Sequence, residues 1–263
     1  MDLGIKGKSA LVLGASKGLG YSTARALAQE GVDIALSSSS QERADEAARK
    51  LAAETGAKVV GLVGDVSNPD NMNVLADAAV KALGGVDILV NNHGGPALGF
   101  AMDLKEEVLR QQFDSMVVSI IRITSLLVPG MIENKWGRVL FIGSSGNIEP
   151  LNNMVLSNTL RGAIVNYSKT LANEIGRDGV TVNVIAPGGV LTDRTRSSSE
   201  NDAKRLGITF EEALARRVST VPMGRFGDPD EFGGVAAFMC SQQAGYCTGS
   251  IWRVDGGRIK NII

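Results

Sequence analysis

The sequence has few of the residue types that bind metal ions or crosslink a chain. It contains two cysteines, Cys240 and Cys247, and a single histidine, His93. The cysteines do not form a CxxC pair, and no histidine cluster lies near them. This composition excludes a cysteine–histidine zinc site and a framework of several disulfides. We expect no metal site and two buried thiols, because unpaired cysteine is among the most buried residue types.

Strong net charge and long apolar segments are also absent. The chain carries 27 basic and 28 acidic residues, a formal net charge of -1, so it lacks the basic surface that nucleic acid or an anionic membrane attracts. No uninterrupted apolar run reaches the roughly 18 residues of a membrane-spanning helix. The first residues lack the pattern of a secretory signal. We therefore expect neither nucleic acid nor a membrane as a partner, and a cytoplasmic location.

Glycine and short apolar runs are abundant instead. The 263 residues include 32 glycines and are 44% hydrophobic and 21% charged, as in folded globular proteins. Short β-branched runs alternate with longer amphipathic segments, which is typical of βαβ units with a parallel sheet. The runs are apolar throughout, so helices should cover both sheet faces. We predict a single α/β domain over residues 1–263, with a doubly wound parallel sheet of about seven strands in three α/β/α layers.

The alternation predicts seven strands and six helices. The strands are expected at residues 9–13, 32–37, 58–63, 86–91, 138–142, 180–185 and 250–254. The helices are expected at residues 18–29, 41–54, 71–83, 105–131, 156–175 and 229–240, and Pro129 should end or kink the fourth. Residues 194–221 break this rhythm, being polar and serine-rich and then helical over 210–218. Our hypothesis for them is a substrate lid over the mouth of the site.

Three glycines lie where the first predicted strand turns into a helix. Gly14, Gly18 and Gly20 have the spacing GxxxGxG, which differs from the GxGxxG of the broader dinucleotide-binding fingerprint. Glycines let the backbone turn tightly and approach a pyrophosphate, while free N–H groups and the positive end of the helix dipole attract the anion. In an alternating α/β chain, this position predicts nucleotide binding.

Four further motifs follow the glycines in order. They are Asp65-Val66, Asn91-Asn92-His93-Gly94, Asn183 with Pro187-Gly188-Gly189, and Asp255-Gly256-Gly257. Together with the glycine spacing, they resemble the short-chain dehydrogenases/reductases along nearly the whole chain. The resemblance implies a Rossmann-type fold that binds a nicotinamide cofactor. It implies cofactor contacts at Gly14, Ser16, Lys17, Gly18, Leu19, Gly20, Ser38, Ser39, Asp65, Val66, Asn91, Gly94, Arg161, Pro187, Gly188 and Val190.

The end of the second predicted strand bears on the choice of cofactor. An acidic residue about twenty positions after the glycines would favour NAD by accepting a hydrogen bond from the ribose. The chain instead has serine at positions 37–40, which leaves room and hydroxyl donors for a 2′-phosphate, and Lys17 would add a charge-assisted contact. We therefore expect NADP, with NAD as the alternative. A competing interpretation is that the serines only cap the next helix.

The catalytic residues of the family have altered counterparts here. A typical member has a serine, then a tyrosine thirteen residues on that acts as acid and base, then a lysine four further along. These positions correspond to Ser144, Ser157 and Arg161. A serine hydroxyl is a poor acid, because its pKa lies roughly five to six units above that of tyrosine. Arg161 is expected to hold the ribose hydroxyls and lend charge, but a permanently protonated guanidinium cannot relay a proton.

Several other side chains have both a functional and a structural interpretation. Tyr167 lies on an apolar helical stripe, which favours core packing over catalysis. His93 fills the family's alanine position and is interpreted as structural, and Glu149 as a solvated carboxylate. Neither Ser119 nor Arg122 aligns with the family's helix asparagine. The lid has basic residues that would suit an anionic substrate, although interleaved acids favour a mixed solvated face; these are Arg194, Arg196, Lys204, Arg216 and Arg217.

Three functions follow from these residues. The first is an NAD(P)-dependent oxidoreductase acting on a small carbonyl or alcohol substrate, with Ser144 bonding the substrate oxygen. The second is a cofactor-binding protein without redox turnover, which the Ser157 and Arg161 pair favours. The third is a lyase or isomerase on the same scaffold. The resemblance points to a divergent branch, similar to 3-oxoacyl-carrier-protein reductases. It implies a homotetramer or homodimer formed through the long fourth and fifth helices and the C-terminal segment.

Overall fold

The seven predicted strands are all present in the computed structural model, which describes residues 2–262. They are β1 (Ser9–Val12), β2 (Asp33–Ser38), β3 (Val59–Val63), β4 (Ile88–Asn91), β5 (Gly137–Ile142), β6 (Val180–Pro187) and β7 (Ile251–Val254). All six pairings are parallel, and the strands form one sheet in the order β3-β2-β1-β4-β5-β6-β7. The doubly wound parallel sheet is therefore confirmed, with bounds that differ from the prediction by one or two residues.

Helices pack on both faces of this sheet. They are α1 (Gly18–Gln29), α2 (Gln41–Thr55), α3 (Asn71–Leu83), α4 (Glu106–Phe113), α5 (Ser119–Glu133), α6 (Val155–Ile175), α7 (Asp193–Leu206), α8 (Phe210–Val218) and α9 (Pro229–Met239). One apolar core lies between the sheet and helices α1, α2 and α9. A second lies between the opposite face and helices α3, α5 and α6. The three-layer arrangement follows from strands that are apolar on both faces.

The fourth predicted helix differs from expectation in where it is interrupted. Pro129 does not end it, because α5 continues through Pro129 to Glu133. Pro129 is exposed, whereas Leu127, Val128 and Met131 are buried and hold the last turn against the core. The irregularity lies earlier, in a π-helical turn at Asp114–Val118 between α4 and α5. The span Glu106–Glu133 is long and apolar enough to cross a membrane, but 56% of an apolar 18-residue window within it is buried inside the protein, as in a core helix.

The proposed lid is more helical than its composition suggests. Its first part forms α7, where the hydroxyl of Thr192 accepts a hydrogen bond from the amide of Thr195, and Gly207 ends the helix in a left-handed conformation. Thr209 and Glu212 then form a capping box at the start of α8. Asp202 pairs with Arg205 and, across the two helices, with Arg217. Caps and ion pairs therefore support two helices in a segment with little apolar surface.

The two thiols are free and lie near β7. Cys240 is buried as predicted, whereas Cys247 is only half-buried. Burial raises the pKa of the Cys240 thiol to about 12, an effect that the nearby Arg138 guanidinium partly opposes. Among residues 2–262 no cluster of three or more histidine, cysteine or acidic side chains could hold a metal ion.

The sheet order reverses between β1 and β4, which lie side by side at its centre. Ligands of open α/β sheets bind beyond the carboxyl ends of the strands at such a point. Here the loop after β1 contains Gly14 and the loop after β4 contains Asn92, and the two loops meet. The amide of Leu13 also donates to the carbonyl of Val90 at 3.0 Å. The topology thus places the predicted cofactor motifs together.

Candidate cofactor and active site

The glycine loop is closely packed and leaves the start of α1 uncovered. Gly14 and Gly18 have φ values of 56° and 61°, which favour glycine. A Cβ on Gly20 would lie 2.6 Å from the carbonyl oxygen of Gly14, and the Asn92 amide donates to that carbonyl at 3.0 Å. Lys17, at the N-cap, makes no side-chain cap. The first-turn N–H groups are therefore available to an anion.

The serines at the end of β2 and just after it have different roles. Ser37 is buried and supports the glycine loop, because its carbonyl accepts from the amide of Ala15 at 2.9 Å. Ser38 donates to the hydroxyl of Ser16 at 3.4 Å. Ser40 occupies the N-cap of α2 but makes no side-chain cap, so the capping interpretation of these serines is wrong.

Arg43 is a residue that the sequence interpretation missed at this end of the site. It lies on the first turn of α2, is exposed, and donates to the hydroxyl of Ser39 at 2.8 Å. Lys17, in contrast, faces the lid, with its ammonium 3.8 Å from a carboxylate oxygen of Asp193. The position of Arg43 in the first turn of the helix that follows the serines is the sequence signal that could have indicated it.

The loop after β3 is held in place by α5. The hydroxyl of Ser119 donates to the carbonyl of Val66 at 2.7 Å, and Arg122 pairs with Asp70 at 2.5 Å. Asp65 accepts from the amide of Ser67 at 2.9 Å. Ser119 and Arg122, which could not be aligned with a family residue, therefore position the loop that carries Asp65 and Val66.

Ser144 lies just beyond β5 in a well-defined conformation. Its amide donates to Oδ1 of Asn147 at 2.7 Å, and its hydroxyl oxygen accepts from the amide of Gly146 at 3.1 Å. A Cβ on Gly143 would lie 2.4 Å from Oδ1 of Asn147, so glycine is needed there. Because the hydroxyl oxygen accepts this bond, its O–H remains free to donate to a ligand oxygen.

Ser157 and Arg161 lie one turn apart on α6. Ser157 is 4% exposed, and in the part of the chain described its hydroxyl makes no hydrogen bond. The Arg161 guanidinium donates to the carbonyl of Ile142 at 2.6 Å and to that of His93 at 3.2 Å. Burial and the nearby charge of Arg194 lower the pKa of Arg161 to about 10. Arg161 thus links β4, β5 and α6 at the candidate site.

His93 is held in one orientation by both ring nitrogens. Nδ1 donates to the carbonyl of Gly94, and Nε2 accepts from the hydroxyl of Ser115 at 2.6 Å. Burial, followed by the charges of Arg161 and Arg194, lowers the pKa of His93 to about 4. Ser115 belongs to the π-helical turn, so the turn positions the partner of the histidine. These contacts support the structural interpretation of His93.

A small cavity lies between Arg161, His93 and the β4 and β5 strands. Its volume is about 20 Å³, enough for one water molecule, which needs at least about 10 to 15 Å³. Its lining includes Asn91 and Asn147. Among residues 2–262, Oδ1 of Asn91 and Nδ2 of Asn147 have no hydrogen-bond partner. The Asn91 amide itself donates to Thr124 of α5 at 3.1 Å. Its side chain thus faces the core, and Asn92 provides the contact with the glycine loop.

The motifs after β6 and β7 pack against each other. A Cβ on Gly188 would lie 2.6 Å from the Cα of Asp255, and the Gly188 amide donates to the carbonyl of Val254 at 2.9 Å. Asp255 also accepts from the amides of Gly257 and Ile259, each at 3.0 Å. Asn183 bonds the backbone of the segment before β7, at Cys247 and Ser250. Pro187, Gly188 and the buried Val190 are thereby positioned beside the lid.

The remaining candidates separate into buried and exposed groups. Tyr167 packs edge-on against Phe141, with ring centroids 6.2 Å apart, and burial raises its pKa, which confirms its place in the core. Glu149 is exposed. Gly94 is exposed as well, and a Cβ there would meet no atom within 4 Å, so space is open above the loop after β4.

Arg194 differs from the other basic residues of the lid. It lies near the start of α7 and reaches back to the loop after β4, where it donates to the carbonyl of Gly95 at 2.7 Å and to that of Pro96 at 3.2 Å. Partial burial lowers its pKa. Arg217 pairs with Asp202, as expected for a mixed solvated face. Arg194 is also exposed, but its partners are backbone carbonyls and not an acid.

The chain is similar to known proteins over nearly its full length. A family model described as enoyl-(acyl carrier protein) reductase matches residues 14–258. The 3-oxoacyl-[acyl-carrier-protein] reductase of Vibrio cholerae is 32% identical over 97% of this chain and 98% of its own length. Dehydrogenase/reductase SDR family member 4 of Bos taurus is 33% identical over 97% of this chain and 88% of its own.

A solved structure is similar in fold as well as in sequence. The L-sorbose reductase of Gluconobacter frateurii, complexed with NADPH and L-sorbose, has a TM-score of 0.95 and 33% identity, covering 100% of both chains. The strand order, the glycine loop and these similarities agree with the resemblance seen in the motifs. The chain belongs to the short-chain dehydrogenase/reductase family.

Proposed function

We propose that the chain is an NADP-dependent oxidoreductase that reduces a small carbonyl compound or oxidises the corresponding alcohol. The observation that carries the proposal is the uncapped start of α1, where Gly20 packs against the Gly14 carbonyl and leaves N–H groups for a pyrophosphate. The similar L-sorbose reductase was solved with NADPH. In this proposal the pyrophosphate binds at Gly18, Leu19 and Gly20.

The residues after β2 and β3 fit the adenosine end of NADP. Ser38 and Ser39 offer hydroxyls where an acidic side chain would favour NAD, and Arg43 lies within hydrogen-bonding distance of Ser39. Asp65 and Val66 are proposed to contact the adenine. At the other end, Gly94, Pro187, Gly188 and Val190 border the nicotinamide position in our proposal.

The proposed chemistry depends on how this chain's polar groups hold the substrate oxygen. The cofactor, when bound, supplies the hydride. The free O–H of Ser144 donates to the substrate oxygen, and the Arg161 charge stabilises negative charge that develops there. Ser157 is a weak acid and is buried, so we propose solvent as the proton source, for which the cavity beside Arg161 has room. General acid catalysis is typically worth about a hundredfold to ten-thousandfold, so slow turnover is expected.

Two measurements test the proposal. Dissociation constants for NADPH and NADH are measured by fluorescence titration, and NADPH oxidation is then followed with aldehydes, quinones and β-keto esters. We expect tighter binding of NADPH and slow oxidation with at least one class. Tighter binding of NADH would contradict the choice of cofactor. Tight NADPH binding without turnover would support the alternative of a cofactor-binding protein, which the buried Ser157 favours.

A further inference from the structure

Two arginines from different helices converge on one short segment after β4. Arg161 of α6 donates to the carbonyl of His93, and Arg194 of α7 donates to the carbonyls of Gly95 and Pro96. A Cβ on Gly95 would lie 2.3 Å from a guanidinium nitrogen of Arg194, so glycine is needed for this approach. The segment 93–96 therefore holds two cationic groups side by side.

Neither guanidinium has an acidic partner among residues 2–262. Other basic side chains near the lid do form ion pairs, since Lys17 approaches Asp193 and Arg217 approaches Asp202. Asp193, the acid next to Arg194 in sequence, is thus directed to Lys17. Arg194 is near enough to Arg161 and His93 to lower the pKa of each. The pair carries unbalanced positive charge that a bound anion would offset.

The arginine pair adjoins the residues that we propose to hold the substrate oxygen. Arg161 bonds the carbonyl of Ile142, two residues before Ser144, and it follows Ser157 by one turn of α6. Arg194 is exposed to solvent and so is accessible to a ligand. Planar guanidinium groups match the two oxygens of a carboxylate, which they bind by paired, charge-assisted hydrogen bonds.

We propose that Arg194, with the added positive charge of the neighbouring Arg161, forms a carboxylate-binding subsite, so that the substrate is a small oxo acid, reduced at its ketone to the hydroxy acid. This inference rests on the proposed function. The ketone carbon takes a hydride from NADPH, the ketone oxygen takes a proton from solvent, NADP⁺ is released, and the carboxylate is unchanged.

A rival role for Arg194 is to bind the cofactor pyrophosphate. The start of α7 lies near the glycine loop, because a Cβ on Gly18 would lie 3.9 Å from a methyl group of Thr192, and Arg194 follows Thr192 by two residues.

Ligand pairs that differ only in charge test the subsite. Binding of acetoacetate and methyl acetoacetate, and of pyruvate and methyl pyruvate, is measured by calorimetry on the protein saturated with NADP⁺. At least one acid is expected to bind about tenfold or more tightly than its ester, the effect of one or two hydrogen bonds to charged groups. Equal binding of acid and ester in both pairs would overturn the inference.

Variants assign the preference to Arg194. Arg194→Gln is expected to abolish the preference for the acid and to leave the NADPH dissociation constant within about twofold of the unaltered protein. Arg194→Lys is expected to retain part of the preference for the acid. Arg196→Gln is the matched control, because Arg196 is an exposed residue two positions along the same helix and should change neither value. Weakened NADPH binding in Arg194→Gln with an unchanged preference would assign Arg194 to the cofactor and overturn the inference.

Failure of this inference can be separated from failure of the proposed function. If NADPH binds and neutral ketones are reduced without any preference for acids, only the carboxylate subsite is wrong. If NADPH does not bind to the unaltered protein, the proposed function fails and the subsite fails with it. Circular dichroism of each variant confirms that binding is compared between folded proteins.

Discussion

At Ser144 the amide of Gly146 and the amide oxygen of Asn147 fix both backbone and side chain. At Ser157, thirteen residues later, the hydroxyl is buried and makes no such contact among the described residues. The resemblance to the family had assigned Ser144 to the substrate oxygen and placed Ser157 where a typical member has its tyrosine. Their surroundings now favour Ser144 for contact with a substrate oxygen, and the catalytic role of Ser157 stays a prediction.

Restoring a stronger acid at position 157 tests what limits turnover. The double change Ser157→Tyr with Arg161→Lys is expected to raise the rate of NADPH oxidation with a reactive ketone by about a hundredfold or more, the usual value of general acid catalysis. Arg161→Lys alone is the control and should give little gain. If the double variant binds NADPH normally and reacts no faster, the missing acid is not the limitation.

Two exposed arginines of α2 offer a matched test of cofactor choice. Arg43→Gln removes the guanidinium beside Ser39 and is expected to raise the dissociation constant for NADPH about tenfold, while that for NADH stays within about twofold. Arg49→Gln, an exposed position further along α2, serves as control. Equal weakening of both cofactors by Arg43→Gln would mean that Arg43 does not contact the 2′-phosphate.

His93 should make stability depend on pH in a defined direction. Its pKa is about 4 in the folded protein and about 6.5 when unfolded, so between these values only the unfolded chain binds the proton. The contribution of His93 to the free energy of unfolding is complete above about pH 6.5 and is lost as pH falls towards about 4. The loss is at most about 3 kcal/mol, and less because the ring is partly exposed.

Urea unfolding at about pH 7.5 and about pH 5 measures this effect. The free energy of unfolding should fall more between the two values in the unaltered protein than in His93→Gln, which lacks the titrating ring. An equal fall in both proteins would show that other groups account for the acid sensitivity.

At the scale of elements, the sequence predicted the sheet well because its strands are apolar on both faces and read as short continuous runs. It failed at α7, whose serines and charges favour a loop by composition alone. That helix depends on its cap residues Thr192 and Gly207 and on the ion pair of Asp202 with Arg217 of α8, so it needs residues that lie outside it. The partners of Arg194 could not be predicted either, because Gly95 and Pro96 lie nearly a hundred residues away in sequence.

Helices α1 and α9 pack backbone against backbone at one glycine. A Cβ on Gly233 would lie 2.5 Å from the carbonyl oxygen of Ser22, so Gly233→Ala should separate the helices and lower the free energy of unfolding by about 1 to 3 kcal/mol. Gly234 is the matched control, because a Cβ there would meet no atom within 4 Å. Gly234→Ala should raise stability by up to about 1 kcal/mol. Urea unfolding compares the two, and equal effects would contradict the packing argument.

At the scale of the whole molecule, the parallel sheet with helices on both faces and the family were predictable, while the single-domain interpretation and the cytoplasmic location stay predictions. The expected homo-oligomer also stays a prediction. A groove of about 540 Å³ between α4 and α6, lined partly by Leu109, Phe113 and Ala163, lies on the helices expected to form the interface. Phe113 is 43% exposed there, which makes it a suitable residue for a test.

Phe113→Lys is expected to shift the mass measured by light scattering towards that of a single chain, because a buried unpaired charge opposes association. Leu206→Lys, a change at an exposed apolar residue of the lid, is the control and should leave the mass unchanged. A monomeric unaltered protein, or a Phe113→Lys variant of unchanged mass, would contradict an interface at this groove.

The difference between the two thiols has a practical consequence for following this molecule in solution. With its pKa raised to about 12 and its side chain buried, Cys240 presents almost no thiolate to a maleimide near neutral pH. Cys247 is free and partly accessible. A fluorophore or spin label would therefore attach at one native position, without removal of any residue, and report from the edge of the sheet near β7 while the site at its centre stays unmodified.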